Sequence, residues 1–114
     1  MMGMHLAVLD LAQLTEIGDP EFLREMVDLF EATAGPHIDS MAAALAAGDG
    51  KELARVAHAL RGSSLGMFAT TMADLSGLLE AAGKAAKLES AHAALSLLRD
   101  AYLDTVAQMR ELAS

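Results

Sequence analysis

From Leu88 to Leu112 the chain repeats apolar side chains at alternating steps of three and four: Leu88, Ala91, Leu95, Leu98, Tyr102, Thr105, Met109 and Leu112. Residues at those steps share one face of an α-helix. The spacing predicts a long helix over 88–112 with one seam to bury, broken only by the polar Thr105. Such a seam needs other helices to cover it. The composition supplies them: Ala, Leu and Met are abundant, aromatic residues are 4% of the sequence, and no β-branched run occurs. That is helix-forming chemistry throughout.

Turn signals divide the remainder. Asp19-Pro20-Glu21 marks a helix start, with Asp19 as N-cap and Pro20 in the first turn. The helix from Pro20 to about Ala34 is expected to bury Phe22, Met26, Leu29 and Thr33, flanked by Leu23 and Phe30. Gly35-Pro36 is expected to end it and to open a second helix over 36–47, with Ile38, Met41 and Leu45 as its stripe. Gly48-Asp49-Gly50 breaks the pattern again, and Asp49 with Glu52 three residues on has the form of a capping box. The next helix carries Leu53, Ala57, Leu60, Ser64 and Met67 on one face. Thr70 or Thr71, with Asp74 in the first turn, opens another through Met72, Leu75 and Leu79, closed by Gly83-Lys84. Residues 6–16, with Leu6, Leu9 and Leu14, suit a short amphipathic helix. Short connections imply antiparallel neighbours. The expected fold is all-α: an antiparallel four-helix bundle with one or two short accessory N-terminal helices.

A length of 114 residues fits a single domain over 1–114, able to bury roughly two-thirds of its unfolded surface. There are no cysteines, so disulfides, thiolate metal sites and cysteine catalysis are excluded. Sixteen acidic residues against eight basic ones give a formal charge of −8, with no run of lysine or arginine. Nucleic acid and anionic membranes are therefore poor partners. No apolar stretch approaches a membrane span, and the first residues, MMGMHLAVLD, lack a basic leader region. A cytoplasmic location is expected.

The candidate site lies in His58-Ala-Leu-Arg-Gly-Ser-Ser64. On a helix, Arg61 and Gly62 share the face of His58. Counting about 100° per residue, His58 lies about 160° from Leu60, so it points to solvent while the Leu60 face packs inward. A neutral imidazole is a competent nucleophile near pH 7. Arg61 supplies a fixed positive charge for phosphoryl oxygens, although an arginine in such a place also serves as a solvated charge or salt-bridge partner. Gly62, about 40° round from His58, supplies room for a partner. Glycine inside a helix costs about 1 kcal/mol relative to alanine, which invites a packing or access role. Ser63 and Ser64 lie well round the helix and are expected to bond back to carbonyls one turn earlier. Ala54 and Leu65, one turn before His58 and one turn after Arg61, are candidates for an apolar docking rim; Leu65 equally suits a half-buried edge position.

These residues resemble the motif of histidine-containing phosphotransfer (HPt) domains, H-x-L-K/R-G-S-S/A, matched from His58 through Ser64. The preceding Ala57, the acidic start near Asp10, the DPEFLREMVDLF helix and the Gly-Asp turn also resemble the family, so the likeness covers nearly the whole chain. It implies an antiparallel four-helix bundle in which His58 takes a phosphoryl group from a receiver-domain aspartate and passes it to another. Arg61 stands where the family usually has lysine, and Phe68 where it commonly has glycine. The implied partners are response-regulator receiver domains, with a hybrid histidine kinase as a further candidate.

No glycine-rich nucleotide loop or Walker-type sequence occurs, so no cofactor and no ATP site of its own are expected; any metal would come with the receiver. Glu89-x-x-His92 is half of a carboxylate-bridged di-metal motif. Only one copy exists and the seam is alanine and leucine, so no metal site is expected. His5 and His37 are assigned no role, and the eight methionines are core filler. The alternative function is an adaptor bundle that docks a receiver or kinase without accepting phosphate.

Overall fold

A computed structural model describes Asp10, Gln13, Leu14, Glu16 and residues 18–114. Four helices follow in order: α1 (Pro20–Ala46), α2 (Gly50–Gly66), α3 (Thr70–Lys84) and α4 (Leu88–Ala113). Each packs on its neighbours in sequence, and α4 returns to α1, so the four close into a ring. The turns between them are too short for anything but antiparallel neighbours. The protein is an antiparallel four-helix bundle. Met41, Leu53, Leu60, Met72, Leu79 and Leu98 are fully buried at its centre.

Gly35-Pro36 does not separate two helices, as the sequence suggested. The first helix runs unbroken through Pro36 to Ala46. Proline removes a hydrogen-bond donor and crowds the carbonyl four residues earlier. It also disfavours helical geometry in the residue before it, through that residue's Cβ. Gly35 has no Cβ, so that part of the clash is absent. On the α4 side a Cβ there would make only ordinary contact, 3.4 Å from the Tyr102 hydroxyl. What holds the helix together is one buried stripe across the proline: Leu23, Val27, Phe30, Ala34, Ile38, Met41, Ala44 and Leu45. The expected stripe of Phe22, Met26, Leu29 and Thr33 is displaced by one residue, leaving Phe22 48% and Leu29 70% exposed. Only the observed stripe stays in line with Ile38 and Met41 when the helix is continuous.

The starts of α1 and α2 follow their capping chemistry, whereas α3 and α4 begin after Ala69 and Lys87 with no side-chain cap. Asp19 accepts a hydrogen bond from the Glu21 amide, and Asp49 from the Glu52 amide, both at 3.0 Å. The Glu52 carboxylate does not complete a capping box; it turns to Arg55 instead. Three helix ends share one pattern, the paired bonds of a Schellman turn. At α1 the bonds are Asp49 N–H to Ala44 O and Gly48 N–H to Leu45 O. At α2 they are Ala69 N–H to Ser64 O and Phe68 N–H to Leu65 O. At α3 they are Lys87 N–H to Ala82 O and Ala86 N–H to Gly83 O. The left-handed residue is Gly48 in the first, but Phe68 (φ 57°) and Ala86 (φ 56°) in the others. Gly83 therefore lies inside α3 and does not cap it.

The α4 seam buries Ala91, Leu95, Leu98, Ala101, Thr105, Met109 and Ala113, close to the expected positions. Arg110 joins this helix to α1 through Asp28 and Glu31, and Arg24 donates to the Ala113 carbonyl. Of the short N-terminal helix, Leu6 and Leu9 lie outside the described residues. Gln13, Leu14 and Glu16 are helical, and Leu14 is buried in the core. The Asp10 amide donates to the Phe68 carbonyl at 2.8 Å, which ties this segment to the α2–α3 turn. Among the described residues no helix is long and apolar enough to cross a membrane.

Candidate functional site

The expected inward face of α2 is the observed one: Leu53, Ala57, Leu60 and Ser64 are fully buried. Burying that face sends His58 outward, and its side chain is 72% exposed. Lys51, Arg55, His58, Gly62 and Leu65 recur at steps of three and four, so they form one solvent-facing stripe with Arg61 alongside. Leu65 is exposed. A Cβ added at Gly62 would meet nothing within 4 Å, so the surface beside His58 is open.

Ala54 is not on a rim. It is buried against α3, where a Cβ at Gly83 would lie 2.9 Å from the Ala54 nitrogen and 3.1 Å from its Cβ. Ala54 thus forms part of the floor of an open groove of about 670 Å³, lined also by Gly50, Lys51, Arg55, His58, Glu80 and Lys84.

Across that groove α3 supplies a partner that the motif does not contain. Glu80 Oε2 lies 3.1 Å from His58 Nδ1 and 3.2 Å from Lys84 Nζ, and the Glu80 side chain is 16% exposed. The Lys84 ammonium hydrogen-bonded to Glu80 holds its carboxyl below the ordinary carboxylate range; burial opposes this, and His58 adds to it. Glu80 therefore stands ionised beside the imidazole at neutral pH.

Arg61 lies over α3 at Gly77, where an added Cβ would be 3.6 Å from its Cδ and Nε. The arginine stem lies along α3 at that point, and the side chain reaches solvent. Arg55 is held by two bonds to Glu52, at 2.8 and 2.6 Å, which lower the Glu52 carboxyl and raise the guanidinium. Lys84 is held by Glu80. Among the described residues Lys51 and Arg61 carry no ion pair, so their charges are uncompensated on the His58 face of an acidic protein.

The serines divide. Ser63 donates to the Ala59 carbonyl at 3.3 Å, as expected, whereas the buried Ser64 hydroxyl makes no such bond. His92 and Glu89 are exposed, and no cluster of three or more acidic residues and histidines suited to a metal occurs among the described residues. His5 lies outside them, and His37 is half-buried in α1.

Glu80, Lys84, Gly77 and Gly83 are the site residues that sequence periodicity missed. Helical repeats give the face of each helix but not the register between two. One signal was present: His58 and Glu80, like Arg61 and Gly77, are equidistant in sequence from Ala69, at the turn of the antiparallel pair.

A ring of four helices with an imidazole on the solvent-facing stripe of α2, alongside Lys51 and Arg61, is the architecture of a small helical phosphotransfer module. The family model described as Hpt domain matches residues 25–110, and the chain belongs to that family of phosphorelay carriers. It is similar to the crystal structure of histidine-containing phosphotransfer protein B (HptB) from Pseudomonas aeruginosa PAO1. The identity is 26%, 93% of each chain is covered, and the TM-score is 0.81. A comparison with curated proteins gives no match.

Proposed function

We propose that His58 is the phosphoacceptor of a phosphorelay carrier: it takes a phosphoryl group from the aspartyl phosphate of one response-regulator receiver domain and passes it to the aspartate of another. The observation that carries this is the exposure of His58 on a helix whose opposite face is buried, within a matched H-x-L-R-G-S-S sequence. Arg61 offsets the charge of the phosphoryl oxygens by hydrogen bonds that strengthen in a charged pair. Gly62 leaves space for the partner to close over the histidine. The exposed Leu65 continues the docking surface, with Ala54 beneath the groove on the other side. A hybrid histidine kinase, through its own receiver, is a further source of phosphate. The whole of 1–114 acts as one domain in the cytoplasm and, as a carrier, draws on no ATP site of its own.

The test is direct. Incubation with a radiolabelled phospho-receiver should give acid-labile, base-stable label on the protein, and His58→Gln should abolish it. Label that survives the substitution would overturn the assignment of His58. Binding of a receiver with no label in either protein would favour the adaptor.

A further inference from the structure

Leu78 on α3 and Leu97 on α4 are 60% and 57% exposed. Taken singly, each is an ordinary surface leucine. The antiparallel register of the two helices brings them onto one face. Leu75 and Leu97, Leu78 and Ala94, and Ala82 and Ser90 are pairwise equidistant from Ala86, the left-handed residue of the turn between the helices. Along α3, Leu75, Leu78 and Ala82 follow at steps of three and four, and along α4 Ser90, Ala94 and Leu97 do the same. Leu75, Ala82 and Ala94 are half-buried against the core and form a floor between the two exposed leucines. The Ser90 hydroxyl is satisfied by the Lys87 carbonyl. These six residues give about two turns of each helix with no charged side chain.

The charges bordering this face have one sign. Asp74 stands one turn before Leu78, and Asp100 and Asp104 stand one and two turns after Leu97. All three are exposed, and none forms an ion pair among the described residues. The cations of α3 and α4 lie on other sides of these helices. Lys84 is held by Glu80 towards α2, Arg110 by Asp28 and Glu31 towards α1, and Arg99 lines a groove shared with α1. Only Lys87, in the turn, lies at one end of the face.

We propose that the outer face of α3 and α4 docks a basic amphipathic helix of a partner protein. Its apolar side chains enter between Leu78 and Leu97, and its lysines or arginines meet Asp74, Asp100 and Asp104. A second copy of this chain suits the face less well, because pairing it with itself sets acidic residues against acidic residues. Leu78 and Glu80 are about 160° apart on α3, so this surface lies across the helix from the groove that holds His58. A partner bound there leaves His58 open. It acts as an anchor that raises the effective concentration of whatever meets the histidine. None of this depends on His58 accepting phosphate.

The probe is a synthetic helix of leucine and lysine, about 18 residues long, with all leucines on one face. It is titrated into the ¹⁵N-labelled full-length protein, and a peptide with glutamate in place of lysine serves as the control. Amide shifts should centre on Leu75, Leu78, Ala94 and Leu97 and leave His58 and Gly62 in place. Leu78→Ser combined with Leu97→Ser changes only exposed side chains and should weaken binding about tenfold or more in the folded protein. Asp100→Asn combined with Asp104→Asn should weaken it several-fold and flatten its salt dependence. Shifts centred on His58 or on the exposed Phe22 and Leu29 of α1 overturn the proposal, as does equal affinity for the glutamate peptide or no binding at all. Self-association of the free protein that the paired leucine substitutions abolish would give the face to a second copy and overturn the basic partner.

Discussion

Gly50 and Gly83 meet backbone to backbone. A Cβ on Gly83 would lie 2.5 Å from the Gly50 carbonyl oxygen and 2.9 Å from the Ala54 nitrogen. Neither atom is at the end of a flexible side chain, so the helices themselves must part to admit a methyl group. Gly83→Ala gains helix propensity but overpacks this contact, and the second effect is larger. The expected outcome is a net loss of about 1–2 kcal/mol in urea unfolding. A stability equal to that of the native protein would show that the contact relaxes without cost.

The Glu80 carboxyl, held low by Lys84 and then by His58, makes stability depend on acid pH. A depressed carboxyl stabilises the fold above its unfolded pKa, and that contribution is lost as pH falls through the lower folded value. Glu52, lowered by its bond to Arg55, acts in the same direction. Between neutral pH and pH 3, Lys84→Met should therefore lose less stability than the native protein, measured as the shift of Tm on acidification. Equal slopes would mean that the Lys84–Glu80 pair does not outlast solvent screening.

Periodicity along one helix was enough to orient α2, because Leu53, Ala57, Leu60 and Ser64 fill consecutive turns and leave His58 no place but the surface. It also placed α4 to within a residue at its end, and the Asp19 and Asp49 caps at their bonds. It failed where one residue type serves two purposes. Pro36 usually stops a helix, but here a preceding glycine and a buried stripe on both sides carry the helix through. Gly83 resembles a cap, yet it is a contact between helices. The left-handed positions that do end α2 and α3 are Phe68 and Ala86, residues with no turn signature. Glu80 was hidden for a related reason: its pairing with His58 follows from the register of that turn, which no single-helix pattern contains.

Ala86 offers a clean measure of the left-handed turn, since it is exposed and carries only a methyl group. Left-handed geometry costs an L-residue about 1–2 kcal/mol, and glycine escapes that cost while adding freedom to the unfolded chain. Ala86→Gly should stabilise the protein by about 0.5–1 kcal/mol in urea unfolding. At Phe68 the half-buried ring also packs on the core. There the informative comparison is between Phe68→Gly and Phe68→Ala, with the glycine variant the more stable by about 1 kcal/mol.

Leu60, on the opposite side of α2 from His58, is fully buried. Leu60→Ala leaves a cavity in the core and should cost about 2–5 kcal/mol in unfolding free energy. At temperatures where the variant remains folded, transfer from a phospho-receiver should stay near the native rate. A rate loss without a stability loss would place Leu60 in the site and contradict its burial.

Gly62 separates access from stability in the opposite sense. It follows His58 by one turn on the exposed stripe, and an added side chain would meet no atom of the bundle. Replacing glycine by glutamine inside a helix removes backbone freedom from the unfolded state, so Gly62→Gln should be as stable as the native protein or up to about 1 kcal/mol more so. The new side chain projects into the space a receiver must occupy to bring its phosphoryl group in line with the imidazole. Small misplacements of reacting atoms are costly, and transfer should fall about tenfold or more. Gly62→Ala, with a single methyl group, should gain similar stability and lose far less rate. Rapid transfer in folded Gly62→Gln would refute the need for open space beside His58, whereas a stable protein that transfers slowly would assign the glycine to the partner's approach and not to the fold.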